Sequence, residues 1–137
     1  MKKSFKRILA SAMAVVSLTM GVTGMSANAA TPVSQSGTTY GTLTGYINVY
    51  GNTTVEFKTT TTQSAYDIRV NGSIVHYYSG EAFRSGSNQR YYSSSVSKSF
   101  SWPFYVGTEV SAFGSHEAYT ESGAGWVVYT SLIDFYI

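Results

Sequence analysis

His116, Glu117 and Glu121 fall together in the stretch GSHEAYTESG, residues 114–123. A histidine, a carboxylate beside it and a second carboxylate four residues on are the groups from which zinc proteases and glycosidase acid/base pairs are built. The spacing argues against both. A zincin helix needs His-Glu-x-x-His, and Thr120 stands where the second histidine would be. The stretch also alternates like a strand, which would hold positions 116 and 120 about 13 Å apart, too far to share one ion. The same alternation sends His116 and Glu117 to opposite faces. Glu117 and Glu121 share a face, at a separation too long for a retaining pair of carboxylates about 5 Å apart and suited only to the wider inverting geometry. The expectation is a partly buried His116 satisfied by a backbone carbonyl or a neighbouring hydroxyl, with Glu117 and Glu121 as solvated carboxylates near a turn.

A second constellation depends on a turn. In AYDIRVNGSIVHYY, residues 65–78, Asn71-Gly72 separates two apolar-rich runs, and Asn-Gly is the preferred pair for a two-residue type I′ hairpin. Closing the chain there sets Val70 opposite Ser73, Ile68 opposite Val75 and Asp67 opposite His76. Aspartate, histidine and a wealth of serines are the material of a hydrolase triad, yet no G-x-S-x-G elbow accompanies them. The expected Asp67–His76 contact is therefore a structural cross-strand pair. No set of residues converges as metal ligands and no cofactor motif is present, so neither a metal nor a cofactor is expected.

A third set has aromatic chemistry. From Tyr40 to Tyr50 the chain alternates strictly, with Gly41, Leu43, Gly45, Ile47 and Val49 on one side and Tyr40, Thr42, Thr44, Tyr46, Asn48 and Tyr50 on the other. Flat rings flanked by hydrogen-bonding groups suit a sugar ring or another protein's surface. Tyr40, Tyr46, Asn48 and Tyr50 are the expected binding residues.

The elements that must carry these groups are strands. TTVEFKTT, residues 53–60, alternates with Val55 and Phe57 inward and Glu56 and Lys58 outward. YYSSSVSKSFSW, residues 91–102, sets Ser93, Ser95, Ser97, Ser99 and Ser101 against Tyr92, Val96, Phe100 and Trp102, and Pro103 ends or bends it, or lies on an edge. TEVSAFGSHEAYTE, residues 108–121, alternates again, and WVVYTSLIDFYI at the end reads as a central strand covered on both faces. SGEAFRSGSNQR, residues 79–90, has the Gly, Ser and Asn content of a surface loop. Short strands with regular turns and no credible helix predict an all-β fold, a small antiparallel β-sandwich in preference to a barrel.

The first 29 residues set where this domain works. Lys2, Lys3, Lys6 and Arg7 precede an apolar run from Ile8 to Val22, and Ala27-Asn28-Ala29 supplies a small-x-small cleavage site. This is the pattern of a secretory signal peptide cut after Ala29, or after Ala30. The expectation is a secreted, extracellular protein whose residues 30–39 are a flexible lead-in and whose residues 40–137 form one domain with no transmembrane span. Beyond residue 29 there are five basic and seven acidic residues. The formal charge is then −2, which removes the argument for nucleic acid that the basic precursor would otherwise offer. There is no cysteine, and all four methionines lie in the leader. A cysteine-free, tyrosine- and serine-rich β-domain behind a leader of Gram-positive type resembles, in composition, the secreted bacteriocins of the lactococcin 972 kind. That resemblance implies an antimicrobial role and carries no residue with it. The residues themselves point to a non-enzymatic domain that binds a polysaccharide or another cell-surface partner.

Overall fold

A computed structural model describes residues 29–104 and 106–137; the expected signal peptide, but for Ala29, lies outside them. Those residues form six antiparallel strands and no helix: β1 (Val33–Thr38), β2 (Gly41–Tyr50), β3 (Thr54–His76), β4 (Ala82–Ser101), β5 (Glu109–Tyr119) and β6 (Gly125–Tyr136). The fold is all-β, as its aromatic and β-branched content dictates. Residues 33–38, expected in the lead-in, pair instead with β2, Val33 opposite Gly45 and Ser34 opposite Thr44.

All six strands belong to one sheet, nearly closed into a barrel-like shape. Its spine is β3, 23 residues long. β4 runs along the whole of one edge of β3, while the other edge is shared: β2 pairs with residues 54–61 and β5 with residues 67–76. The strand changes partners at a bulge. Thr60 faces Ser95 and Ala65 faces Ser93, so β3 carries extra residues here that β4 does not match. Such an insertion kinks a strand and increases its twist. On β4 the opposing Tyr92 takes a left-handed conformation, φ 51°, and the Tyr66 ring meets those of Tyr91 and Tyr92 edge to face at 5.8 and 5.4 Å.

The bulge also reverses which residues point inward. Before it, Val55, Phe57 and Thr59 are buried; beyond it, Ile68, Val70, Gly72 and Ile74 are. The sheet thereby doubles back, and the layer of β1, β2 and the first half of β3 lies over the layer of the second half of β3, β5 and β6. Contact across the fold is direct: Thr59 Oγ1 donates to the Arg69 carbonyl at 2.9 Å, and the Phe83 and Trp102 rings, from opposite ends of β4, stack 5.5 Å apart.

Two rings lock the layers. Phe57, on the first half of β3, lies over Gly72 on the second half, so close that a β-carbon on Gly72 would sit 2.3 Å from the ring. His116 of β5 lies over Gly45 of β2 in the same way, again 2.3 Å from where a β-carbon would be. Each layer thus offers a notch to a ring of the other, and Leu43, Ile47, Val55, Ile68, Val70 and Ile74 fill the core around them.

Asn71-Gly72 is therefore not a turn. It lies in mid-strand, Asn71 between Ser87 and Ser115 and Gly72 between Gly86 and Gly114, and Gly72 does not have positive φ. The glycine serves close approach instead of reversal. The hairpin turn comes after His76, where the Gly80 N–H donates to the His76 carbonyl at 2.9 Å. Residues 82–90, expected in a loop, are consequently the first half of β4. β6 also departs from expectation. It ends the strand order, and only one of its faces is buried, with Val127 and Ile133 exposed.

Candidate functional site

His116 is the most buried polar ring in the molecule's described part, with no solvent exposure. The Thr59 hydroxyl proton is committed to the Arg69 carbonyl, so Thr59 Oγ1 accepts from His116 Nδ1–H at 2.9 Å. Nε2 is then the acceptor, and the Thr130 hydroxyl donates to it at 2.7 Å. Both nitrogens are occupied, in one tautomer. Burial pushes the imidazole down from 6.5 to about 4. A neutral, enclosed histidine without a free lone pair holds two layers together and offers nothing to a metal or a substrate.

Glu117 points the other way. On the outer face of the second layer its Oε1 accepts from Asn71 Nδ2 at 2.9 Å and Ser115 Oγ at 3.0 Å, and its Oε2 from the Tyr119 hydroxyl at 2.7 Å. Beside it Asp67, only 4% exposed, accepts from Arg69 Nε at 2.9 Å, Arg69 Nη2 at 2.6 Å and Gln89 Nε2 at 2.9 Å. The Arg69 guanidinium lies 4.8 Å from the centre of the Tyr119 ring, which joins the two carboxylates into one network. Glu117 raises the Tyr119 hydroxyl above its usual range, as a carboxylate accepting the phenolic proton should. Glu121 takes no part in these bonds; it is exposed in the turn after β5.

Asp67 and His76 do not meet. They lie on one strand, at opposite ends of the segment paired with β5, about 30 Å apart along it. The expected cross-strand contact fails with the turn that would have formed it. His76 is half-buried at the rim, where its ring meets Phe83 edge to face at 5.2 Å.

The tyrosine set divides. Tyr40 precedes β2, donates its hydroxyl to the Tyr119 carbonyl at 3.1 Å and packs edge to face on Trp126; it closes the seam between the layers. Tyr46, Asn48 and Tyr50 remain together on the outer face of β2. Tyr50 is 54% exposed. The register brings further groups beside them: Lys58 opposite Tyr46, Glu56 opposite Asn48, and on β4 Ser97, Ser99 and Ser101 beyond these. Glu56 Oε2 accepts from Asn48 Nδ2 at 3.1 Å and from the Tyr50 hydroxyl at 3.0 Å, which raises the Tyr50 hydroxyl above its usual range. The alternation of VEFK and SVSKS showed these polar rows separately. What joins them into one face is the pairing of β2, β3 and β4, which local pattern does not contain.

Among the described residues no group of three or more His, Asp or Glu side chains is placed to hold a metal ion. No protein-family model matches the chain, and no curated protein matches it.

Proposed function

We propose that this chain is a secreted, non-enzymatic β-domain that binds an extracellular glycan on the outer face of β2, β3 and β4. The observation that carries the reading is the makeup of that face. Two tyrosine rings lie on alternate outward positions of one strand, with Asn48, Glu56 and Lys58 between and beside them and a row of exposed serines at the margin. Rings stack on the apolar face of a pyranose while amides, carboxylates and hydroxyls meet its oxygens. Catalysis is not part of the reading, because the only histidine–glutamate motif is divided between the core and a filled network.

The test is retention of the chain lacking residues 1–29 on insoluble peptidoglycan, chitin and cellulose. Retention on at least one polymer is expected, and its loss in Tyr46→Ala and Tyr50→Ala with normal melting. Killing of related Gram-positive cells without retention on any polymer would overturn it in favour of a bacteriocin-like role.

A further inference from the structure

The end of the molecule away from the β3 corner holds a second, differently built surface. The turn after β3 and the start of β5 enclose an open cleft of about 450 Å³, lined by His76, Tyr77, Tyr78, Glu81, Thr108 and Glu109. Tyr77 and Tyr78 stand almost perpendicular, centroids 5.0 Å apart and planes at 83°, and Tyr78 is 85% exposed. Glu109 opens β5 opposite Tyr136 of β6, and Asp134 and Tyr78 act on its carboxyl.

Asp134 arrives there through a distortion. Val110 pairs with Phe135 but Ala112 with Leu132, so β6 bulges at Ile133 and Asp134. Asp134 takes φ 58°, a left-handed conformation uncommon outside glycine, and its N–H donates to Ser111 Oγ at 3.3 Å. Bulges of this kind re-aim a side chain. Here Asp134 pushes the Glu109 carboxyl above its usual range. No lysine or arginine lines the cleft.

From this geometry we infer that the cleft binds a substituted ammonium group, such as a trimethylammonium head, with Tyr77 and Tyr78 as aromatic walls and the lining carboxylates Glu81 and Glu109 as counter-charge. A weakly hydrated organic cation gains from ring faces and a carboxylate together. A bare metal ion would need a convergent ligand set, which the described residues do not form. The site is separate from the β2 face and does not rest on glycan binding there.

The experiment is calorimetric titration of the chain lacking residues 1–29 with choline and with 3,3-dimethylbutanol, its uncharged isostere, alongside sedimentation with phosphatidylcholine vesicles. Choline should bind and the isostere should not. Tyr78→Ala and Glu109→Gln should each weaken choline binding about tenfold, the scale of one lost ring–cation or ion contact. Because Tyr78 is so exposed, its variant should melt like the parent, which makes the binding comparison interpretable. Binding to free choline and to vesicles marks a headgroup site open to lipid, and binding to free choline alone a small-molecule site; each supports the inference. No choline binding, equal binding of the isostere, or undiminished binding by both variants would overturn it.

Discussion

The two outer faces of the doubled sheet carry similar side chains and use them in opposite ways. On the β5 side, Asp67 and Glu117 each accept three hydrogen bonds, from Arg69, Gln89, Asn71, Ser115 and Tyr119. On the β2 side a single carboxylate oxygen of Glu56 accepts from both Asn48 and Tyr50, while Ser97, Ser99, Ser101 and the Tyr50 ring stand open to solvent and Tyr46 is half-buried. A carboxylate whose lone pairs are filled by its own neighbours is part of the scaffold; displacing those neighbours would cost what their hydrogen bonds contribute. The region that looks most like chemistry in the sequence is thus the more structural, and the plainer strand carries the face proposed for a ligand.

The largest effect should come from the interlock beneath both faces. Gly72→Ala and Gly45→Ala each drive a β-carbon into a buried ring and should destabilise by about 3 kcal/mol or more, at the upper end of overpacking costs. Denaturant melts should show both faces failing together. A near-neutral Gly72→Ala would mean that Phe57 does not lie where the structure places it.

Acid should act next, through His116. Its folded pKa lies below its unfolded value, so the unfolded chain takes up a proton first as pH falls. Stability should be unaffected by this group above pH 6.5, decline between 6.5 and about 4, and lose about 3 kcal/mol in all. Stability measured against pH for the parent and for His116→Gln checks it; the variant should lack that decline.

The network on the β5 side should give a smaller effect. Asp67→Ala leaves Arg69 and Gln89 without their acceptor and should cost about 1–3 kcal/mol, with polymer retention unchanged. Loss of retention without loss of stability would reverse the assignment of the two faces. Smallest in stability should be Tyr50→Ala, under about 1 kcal/mol because the ring is mostly exposed, although retention should fall sharply.

How far the sequence foretold this depends on whether a feature is local. The alternation of β2 was legible residue by residue: Leu43, Ile47 and Val49 are buried, and Tyr46, Asn48 and Tyr50 face outward. His116 and Glu117 divide between faces as period two requires, and His116 finds hydroxyl partners as a buried imidazole must. Asn71-Gly72 misled because local chemistry favours a turn, whereas the glycine answers to Phe57, fifteen positions earlier in the chain. A bulkier residue at Gly72 is opposed by the Phe57 ring and not by the sign of φ. The apolar run 126–137 resembled a doubly covered strand because it lacks alternation. That lack has a different origin, the bulge at Ile133 and Asp134, which shifts the buried set from Leu132 to Phe135.

The bend in β3 has a consequence for how the molecule comes apart. One strand is a member of both layers, so neither layer has a complete set of partners without the other, and Thr59, Phe57 and Gly72 couple the two halves of that strand directly. Layers joined only by a loop can open separately; layers that share a backbone and its ladder of hydrogen bonds form a single cooperative unit. Amide protons on β2 and on β5 should therefore exchange through the same global opening, at the same free energy, although those strands lie on opposite sides of the core.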